Sequence, residues 1–316
     1  MVYADFLETI RHSLQKRLGD EYTLTIYSVP KNNGVILDGL CIHLPDSALS
    51  PTLYLNSYYE QACLGMSMDE ITEDIVRLFR NYPPPSGISP DCFADFEKIR
   101  DKIMMKLIHA GSNRQQLEDL PHILYLDLAI VFYLSLELNE SGQMTSLIHK
   151  EHAAHWNMDA RSLFSLALVN TPRSYPAEIR SMEEVMKEIA RKNLGDAYNE
   201  EIIDRLLNTE EHLSPLYVLS NQTGIYGASC ILYDKLIKDF ADTLREDLVI
   251  IPSSIHEVLL TPDNGEIDYE ELNSMVVSVN QSDVPPEDQL SDHIYLYSRS
   301  RDQISLLFSA ASGRPS

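Results

Sequence analysis

Residues 247–265 read DLVIIPSSIHEVLLTPDNG, and the reading of this stretch decides the fold. Two short apolar runs, Leu248–Ile251 and Val258–Leu260, stand either side of a polar cluster of Pro252, Ser253, Ser254, His256 and Glu257. Short runs rich in β-branched and aliphatic residues, bounded by turn formers, predict two strands or one bent strand. Reactive residue types gather here at a break between strands, so the stretch is also the first place to look for chemistry.

Outward from it, helical and strand periodicities alternate. Downstream, Asp268–Asn280 predicts a helix, Pro285–Asp292 a turn or short helix and His293–Ser298 a last strand before the tail SAASGRPS. Upstream, Asp234–Leu244 places Leu236, Ile237, Phe240 and Leu244 at helical spacing, and Leu216–Ser220 with Ile225–Leu232 predicts a strand pair around Asn221-Gln222-Thr223-Gly224. An acidic helical insertion is expected near 181–208, with an apolar seam of Met182, Val185, Met186 and Ile189 followed by Ile202, Ile203 and Leu206. Met158–Val169 predicts a helix that Thr171-Pro172 ends. His122–Leu138 is apolar almost throughout and predicts a central strand, bent or broken near Asp127; Asn139–Gly142 is a turn and Met144–His149 a further strand, while Asp95–Ala110 reads as either helix or strand, with a buried strand favoured for Ile103–His109.

The first third repeats the alternation. Val2–Leu18 carries Phe6, Ile10, Leu14 and Leu18 on one helical face, and Lys31-Asn32-Asn33-Gly34 joins Tyr22–Val29 to Val35–His43 as a hairpin. Thr52–Leu55 is a short strand, a helix bearing Tyr58, Tyr59 and Cys63 follows, and Ser67 with Glu70 forms a capping box for a helix from Met68 to Arg80. The proline run at 82–87 is the clearest linker. The expected fold class is α+β, with mixed, mostly antiparallel sheets, packed helices and two lobes, 1–85 and 86–316. A faint echo, Tyr27…Asn33-Gly34…Cys41 against Tyr217…Gly224…Cys230, raises a duplicated strand–turn–strand unit.

The runs YSVPKNNGVILDGLCI, SPTLYLNSYYE, DLPHILYLDLAIVFY, LFSLALVNTPR, PLYVLSNQTGIYGASCILY and DLVIIPSSIHEVLLTPD resemble an uncharacterised bacterial family, domain of unknown function 5688, and more distantly a second family of unknown function. The likeness covers nearly the whole chain. It implies a bacterial, soluble, intracellular protein, with phage or mobile-element association as a further expectation, and it transfers no catalytic residue.

Composition narrows the function classes. Acidic residues outnumber basic ones 48 to 25 in 316 residues, a net charge of -23 that repels phosphate backbones and anionic membranes. Nucleic acid and membrane are therefore excluded as expected partners, and a basic protein is favoured. Cys41, Cys63, Cys92 and Cys230 are scattered with no CxxC pair, which fits a reducing, cytoplasmic compartment. The N-terminus mixes charge into every turn, unlike a signal peptide.

Three constellations have the residue types for chemistry. Ser254, His256 and Glu257, with Ser253, carry the elements of a nucleophile, base and orienting carboxylate, and His122 or Asp127 is a further contributor to such a pocket. Alternation along a strand places Ser254 and His256 on one face and Ser253 and Glu257 on the other, and no GxSxG elbow exists. The structural alternative is a strand-end turn in which a serine satisfies backbone groups and His256 pairs with a carboxylate. His149, His152 and His155, three apart, are the metal-ligand candidates, although the HExxH order is missing and a strand-to-helix transition would make the rings diverge. Asp263-Asn264-Gly265-Glu266 lacks the acidic spacing of a calcium loop and reads as a β-turn. No phosphate loop is present, and no cofactor is expected. The favoured expectation is a non-enzymatic interaction or regulatory protein, and the alternative is a hydrolase-like enzyme with a pocket around Ser253, Ser254, His256 and Glu257.

Overall fold

The computed structural model describes residues 2–43, 50, 52–81, 95–139, 142–195, 198–200 and 215–307. The proline run at 82–87, Cys92, Ile202, Ile203 and Leu206 of the acidic insertion, the whole of the tail SAASGRPS, and 140–141 of the expected turn at 139–142 lie outside them. Contacts divide the chain into two compact units, 1–102 with 134–146, and 103–133 with 147–316.

In the first unit, α1 (Tyr3–Leu18) buries Phe6, Ile10, Leu14 and Leu18, the four-residue ladder of its sequence. They pack with Leu40, Ile42, Leu55, Ile71, Ile75 and Val76 in one core. Each such side chain contributes about 1.5–3 kcal/mol by leaving water. β1 (Thr23–Pro30) and β2 (Ile36–His43) pair antiparallel, from Thr23 against His43 to Pro30 against Ile36. The turn between them uses positive φ at Asn33 (59°) and Gly34 (75°), the reason for Asn-Gly there. β3 (Thr52–Tyr54) adds to β2, then α2 (Asn56–Cys63) and α3 (Met68–Asn81) follow. The Ser67–Glu70 capping box forms: Ser67 N–H donates to Glu70 Oε2 at 2.9 Å, and Glu70 N–H to Ser67 Oγ at 3.3 Å. A short helix, α4 (Phe96–Ile99), closes this part of the chain.

The second unit holds the stretch at 247–265. β10 (Asp247–Ile251) and β11 (Val258–Asp263) are two strands, paired antiparallel from Asp247–Asp263 to Ile251–Leu259. They sit at the middle of a six-stranded sheet completed by β8 (Ala177–Ser181), β9 (Tyr217–Asn221), β12 (Tyr295–Ser298) and β13 (Gln303–Leu306), in the order β13-β12-β10-β11-β9-β8. Leu248 through Ile251 are all buried, which explains an apolar run without alternation. Val249 and Ile251 pack with Val276 of α10 (Tyr269–Ser282) and with Ile294.

A third sheet has the order β4-β6-β5, with β7 (Gly142–Leu147) on β6. Here the expected central strand divides: β5 (His122–Tyr125) and β6 (Leu128–Asn139) form a tight antiparallel hairpin, Tyr125 opposite Leu128, with Leu126 at φ 57°. β4 (Ile103–His109) lies at the sheet's edge. α7 (Ala160–Ser174) covers that edge with side chains: Asn170 Nδ2 donates to Ile103 O, and Met105 N–H donates to Thr171 Oγ1, both at 3.1 Å. An unpaired strand edge is thereby satisfied without a strand. The same contacts correct a sequence expectation, because the helix runs through Pro172 to Ser174, its last turn held by buried Asn170 and Thr171.

Two further differences stand out. Ile225–Leu232 is not a strand; Gly227–Leu232 is a 3-10 turn with Gly227 through Ile231 buried, so the supposed echo of the first hairpin is not strand–turn–strand. β8 and β13, which the sequence does not announce, are short edge strands with little periodic signal. The remaining helices are α5 (Arg114–Leu117), α6 (Lys150–His155), α8 (Met182–Leu194) and α9 (Leu236–Leu244). Among the described residues, no helix is long and apolar enough to cross a membrane.

Candidate functional site

The β10–β11 turn is built by hydrogen bonds among its own polar residues. His256 N–H donates to Ser254 Oγ at 3.0 Å, Ser254 N–H to Glu257 O at 3.1 Å, and Ser253 Oγ to Glu257 Oε1 at 3.5 Å. Ile255 is buried between them, its N–H on Asp288 O at 2.8 Å. The imidazole of His256 accepts the Tyr226 N–H at Nδ1 (3.2 Å), so the ring proton sits on Nε2, which faces Asp288 Oδ1 at 3.3 Å. Its carbonyl takes the Ser220 hydroxyl at 2.8 Å. Imidazole and carboxylate therefore meet, as a structural turn requires, but the carboxylate is Asp288 and not Glu257. The Ser254 hydroxyl is turned to backbone, while a serine nucleophile needs the ring nitrogen within about 2.6–3.2 Å.

Tyr226 and Gly227 fasten this turn from the other side. The Tyr226 ring stacks on His256 at 9° and 5.9 Å between centroids. A Cβ on Gly227 would lie 2.1 Å from Ser220 Oγ and 2.5 Å from His256 O, so only glycine permits the approach. As it stands, the cluster ties the 221–229 and 285–289 segments to the centre of the sheet.

A second constellation forms around Asp127, at the end of the β5–β6 turn. Its Oδ2 accepts from Ser291 Oγ at 2.6 Å and His293 Nδ1 at 3.0 Å, and its Oδ1 from Tyr295 OH at 2.8 Å. Burial, and then the charge of Asp127, push the Tyr295 phenol far above its ordinary value. Because a carboxylate only accepts, His293 carries its proton on Nδ1, leaving Nε2 without a hydrogen bond among the described residues. The side chain of His293 is 34% exposed. A histidine held in one tautomer by a carboxylate, with its second nitrogen directed elsewhere, is equipped to take up a proton. Asp127 is legible in the sequence as a polar break in an apolar run. Its partners lie 164 to 168 residues away and have no signal there. His122 is apart from this group: Nδ1 bonds Leu120 O at 2.9 Å, and the side chain lines a shallow cleft of about 490 Å³ with Arg114, Leu124 and Lys150.

In the histidine run, the rings of His149 and His152 meet edge-on at 5.5 Å between centroids, and His155 stands exposed. His149 precedes α6, pairs through Nδ1 with Asp119, and donates its N–H to His152 Nδ1 at 3.1 Å. His152 stacks on Trp156, and burial, then the neighbouring His149, hold its pKa below the usual histidine value. Among the described residues no group of three or more histidine, cysteine, aspartate or glutamate side chains is arranged to hold a metal ion. Cys41, Cys63 and Cys230 form no disulfide among the described residues, and burial pushes the Cys230 thiol up to about 12.

Two other features lie outside the sequence expectations. Lys106, in the middle of β4, is 6% exposed, with its ammonium 4.4 Å from the Tyr226 ring centroid. The other feature is the outer side of α10, where Met275 and Val279 are 57% and 44% exposed. From Asp263 to Asp288 the chain carries Asp263, Glu266, Asp268, Glu270, Glu271, Asp283, Glu287 and Asp288 and no lysine, arginine or histidine.

These elements define an α+β protein of three sheets among the described residues, with every described strand register antiparallel. Residues 3–299 match the family described as Family of unknown function (DUF5688), and the chain belongs to that family. No curated protein and no solved structure matches the chain.

Proposed function

We propose that this is a non-enzymatic, cytoplasmic interaction or regulatory protein that meets a basic protein partner through the outer side of α10. The observation that carries the reading is the pair Met275 and Val279, exposed at helical spacing within a segment of carboxylates free of basic residues. Apolar side chains ringed by one sign of charge suit a partner of opposite charge, the charge steering encounter and the apolar contact holding it. Support also comes from the β10–β11 turn, whose reactive groups are spent on one another and on backbone. The test is quantitative capture from the native host by the whole protein and by a Glu270→Lys/Glu271→Lys variant of unchanged thermal midpoint. One defined basic protein, held by the wild type and lost with the charge reversal, supports the reading. Equal capture by both refutes it. Ser254→Ala and His256→Ala are expected to leave that capture intact.

A second reading, hydrolase-like acid–base chemistry, draws support from Asp127 and His293 more than from Ser254 and His256. His293→Ala separates the two: it leaves partner capture unchanged under the first and removes activity under the second.

A further inference from the structure

The cleft between α5 and β5 is a cation-rimmed hollow in a chain of net charge -23. It holds about 490 Å³, within the size range of small-molecule sites. Alternation along β5 puts His122 and Leu124 on one face of the strand. Leu124 is 67% exposed, and beside it Leu117 and Ala110 belong to the packed cluster of Ile108, Leu120 and Val131. One side of the cleft is therefore apolar and anchored in the core. The rim carries Arg114, Glu118 and Lys150. Lys150 Nζ donates to the main-chain carbonyl of Glu118, which leaves its charge uncompensated, and the nearby Asp119 carboxylate is taken by His149. Arg17, Arg180 and Arg299 each meet a carboxylate, whereas Arg114 makes no ion pair and no side-chain hydrogen bond among the described residues. His122 spends its Nδ1 proton on Leu120 O at 2.9 Å.

An apolar wall and an unpaired guanidinium in one hollow select a ligand that has both an apolar body and an anionic head. We propose that this cleft binds a small amphipathic carboxylate, its apolar body against Leu124, Leu117 and Ala110 and its head between Arg114 and Lys150. The guanidinium fork presents two parallel N–H donors to a carboxylate, and the ammonium adds a second positive charge. Among the described lining residues two cations stand against one carboxylate, Glu118, an excess that matches a monoanion better than a phosphate dianion. Both cations are exposed, so the charge contributes modestly and the apolar contact supplies the rest. The site shares no residue with the outer side of α10, so its failure would leave the interaction reading standing.

The experiment titrates the whole protein, carrying 13C-labelled leucine methyl groups, with hexanoate at constant ionic strength. Acetate, which lacks the body, and 1-hexanol, which lacks the charge, are the two controls. The Leu124 methyl signals, assigned by their loss in Leu124→Ile, are expected to shift saturably with hexanoate and to report binding at least about threefold weaker for either control. The double variant Arg114→Gln/Lys150→Gln is expected to raise the hexanoate dissociation constant by at least about threefold. Should that variant not fold, a titration of the wild type at high and low sodium chloride decides instead, since salt weakens an exposed charge contact and spares an apolar one. Leu124 signals that do not saturate, hexanoate bound no tighter than 1-hexanol or acetate, or an affinity indifferent both to the double variant and to salt would overturn the proposal.

Discussion

Replacing Asp127 with alanine is the sharpest test of how the second unit is held together. Its carboxylate accepts three side-chain hydrogen bonds, from Ser291, His293 and Tyr295. Tyr295 is 0% and Ser291 4% exposed, so neither donor finds water when the acceptor is removed. Hydrogen bonds to a charged group are worth about 1.5–3 kcal/mol each, and a buried donor left unsatisfied loses the full amount. His293, a third exposed, is discounted because water replaces its partner. Two buried bonds then set the expected loss at about 3–6 kcal/mol. Urea unfolding followed by circular dichroism reads this directly, and the thermal midpoint should fall by roughly 6–24 °C.

A double-mutant cycle with Tyr295→Phe isolates the closest buried pair. The expected coupling is about 1.5–3 kcal/mol, since Tyr295→Phe should cost much less once Asp127 is gone. A loss below about 1 kcal/mol for Asp127→Ala, or a coupling within error of zero, would show that the carboxylate is not what fixes these segments.

Four other outcomes follow from the packing. Phe6→Ala empties the centre of the first unit's core and should cost about 3–5 kcal/mol, read as a lower urea midpoint. Gly227→Ala forces a Cβ against the His256 carbonyl and the Asn221 backbone and should cost about 2 kcal/mol or more by the same assay. Thr171→Val leaves the buried Met105 N–H without its acceptor, for a loss of about 1–3 kcal/mol and faster amide exchange at Met105. Burial, and then its bond to Asp263, push the Tyr269 phenol up to about 12, so above pH ~10 the unfolded chain binds fewer protons than the folded one. Its contribution is complete below pH ~10 and is lost as pH rises toward 12, and Tyr269→Phe should flatten the urea midpoint between pH ~9 and ~11.

The parts of this molecule that sequence revealed are those whose cause is local. Phe6, Ile10, Leu14 and Leu18 announce a buried helix face because each is one turn from the next, and Asn33-Gly34 announces a hairpin because positive φ is needed there. Where periodicity is absent, length and run composition mislead. Ile225–Leu232 is apolar because most of it is buried as a 3-10 turn, and burial alone does not distinguish that turn from a strand. Pro172 is a strong local breaker, yet two side-chain bonds from the same helical turn to Ile103 and Met105 outweigh it. The candidate sites show the same division. Ser254, His256 and Glu257 are neighbours in sequence, and what neighbours do best is satisfy one another's backbone, as the bond from His256 N–H to Ser254 Oγ does. The pairs that the sequence does not announce, His293 on Asp127 and Lys106 over Tyr226, are joined across more than a hundred residues. A partner that distant is brought to its place by the whole fold. It is therefore the long-range pairs, more than the local clusters, that the sequence leaves for the structure to reveal.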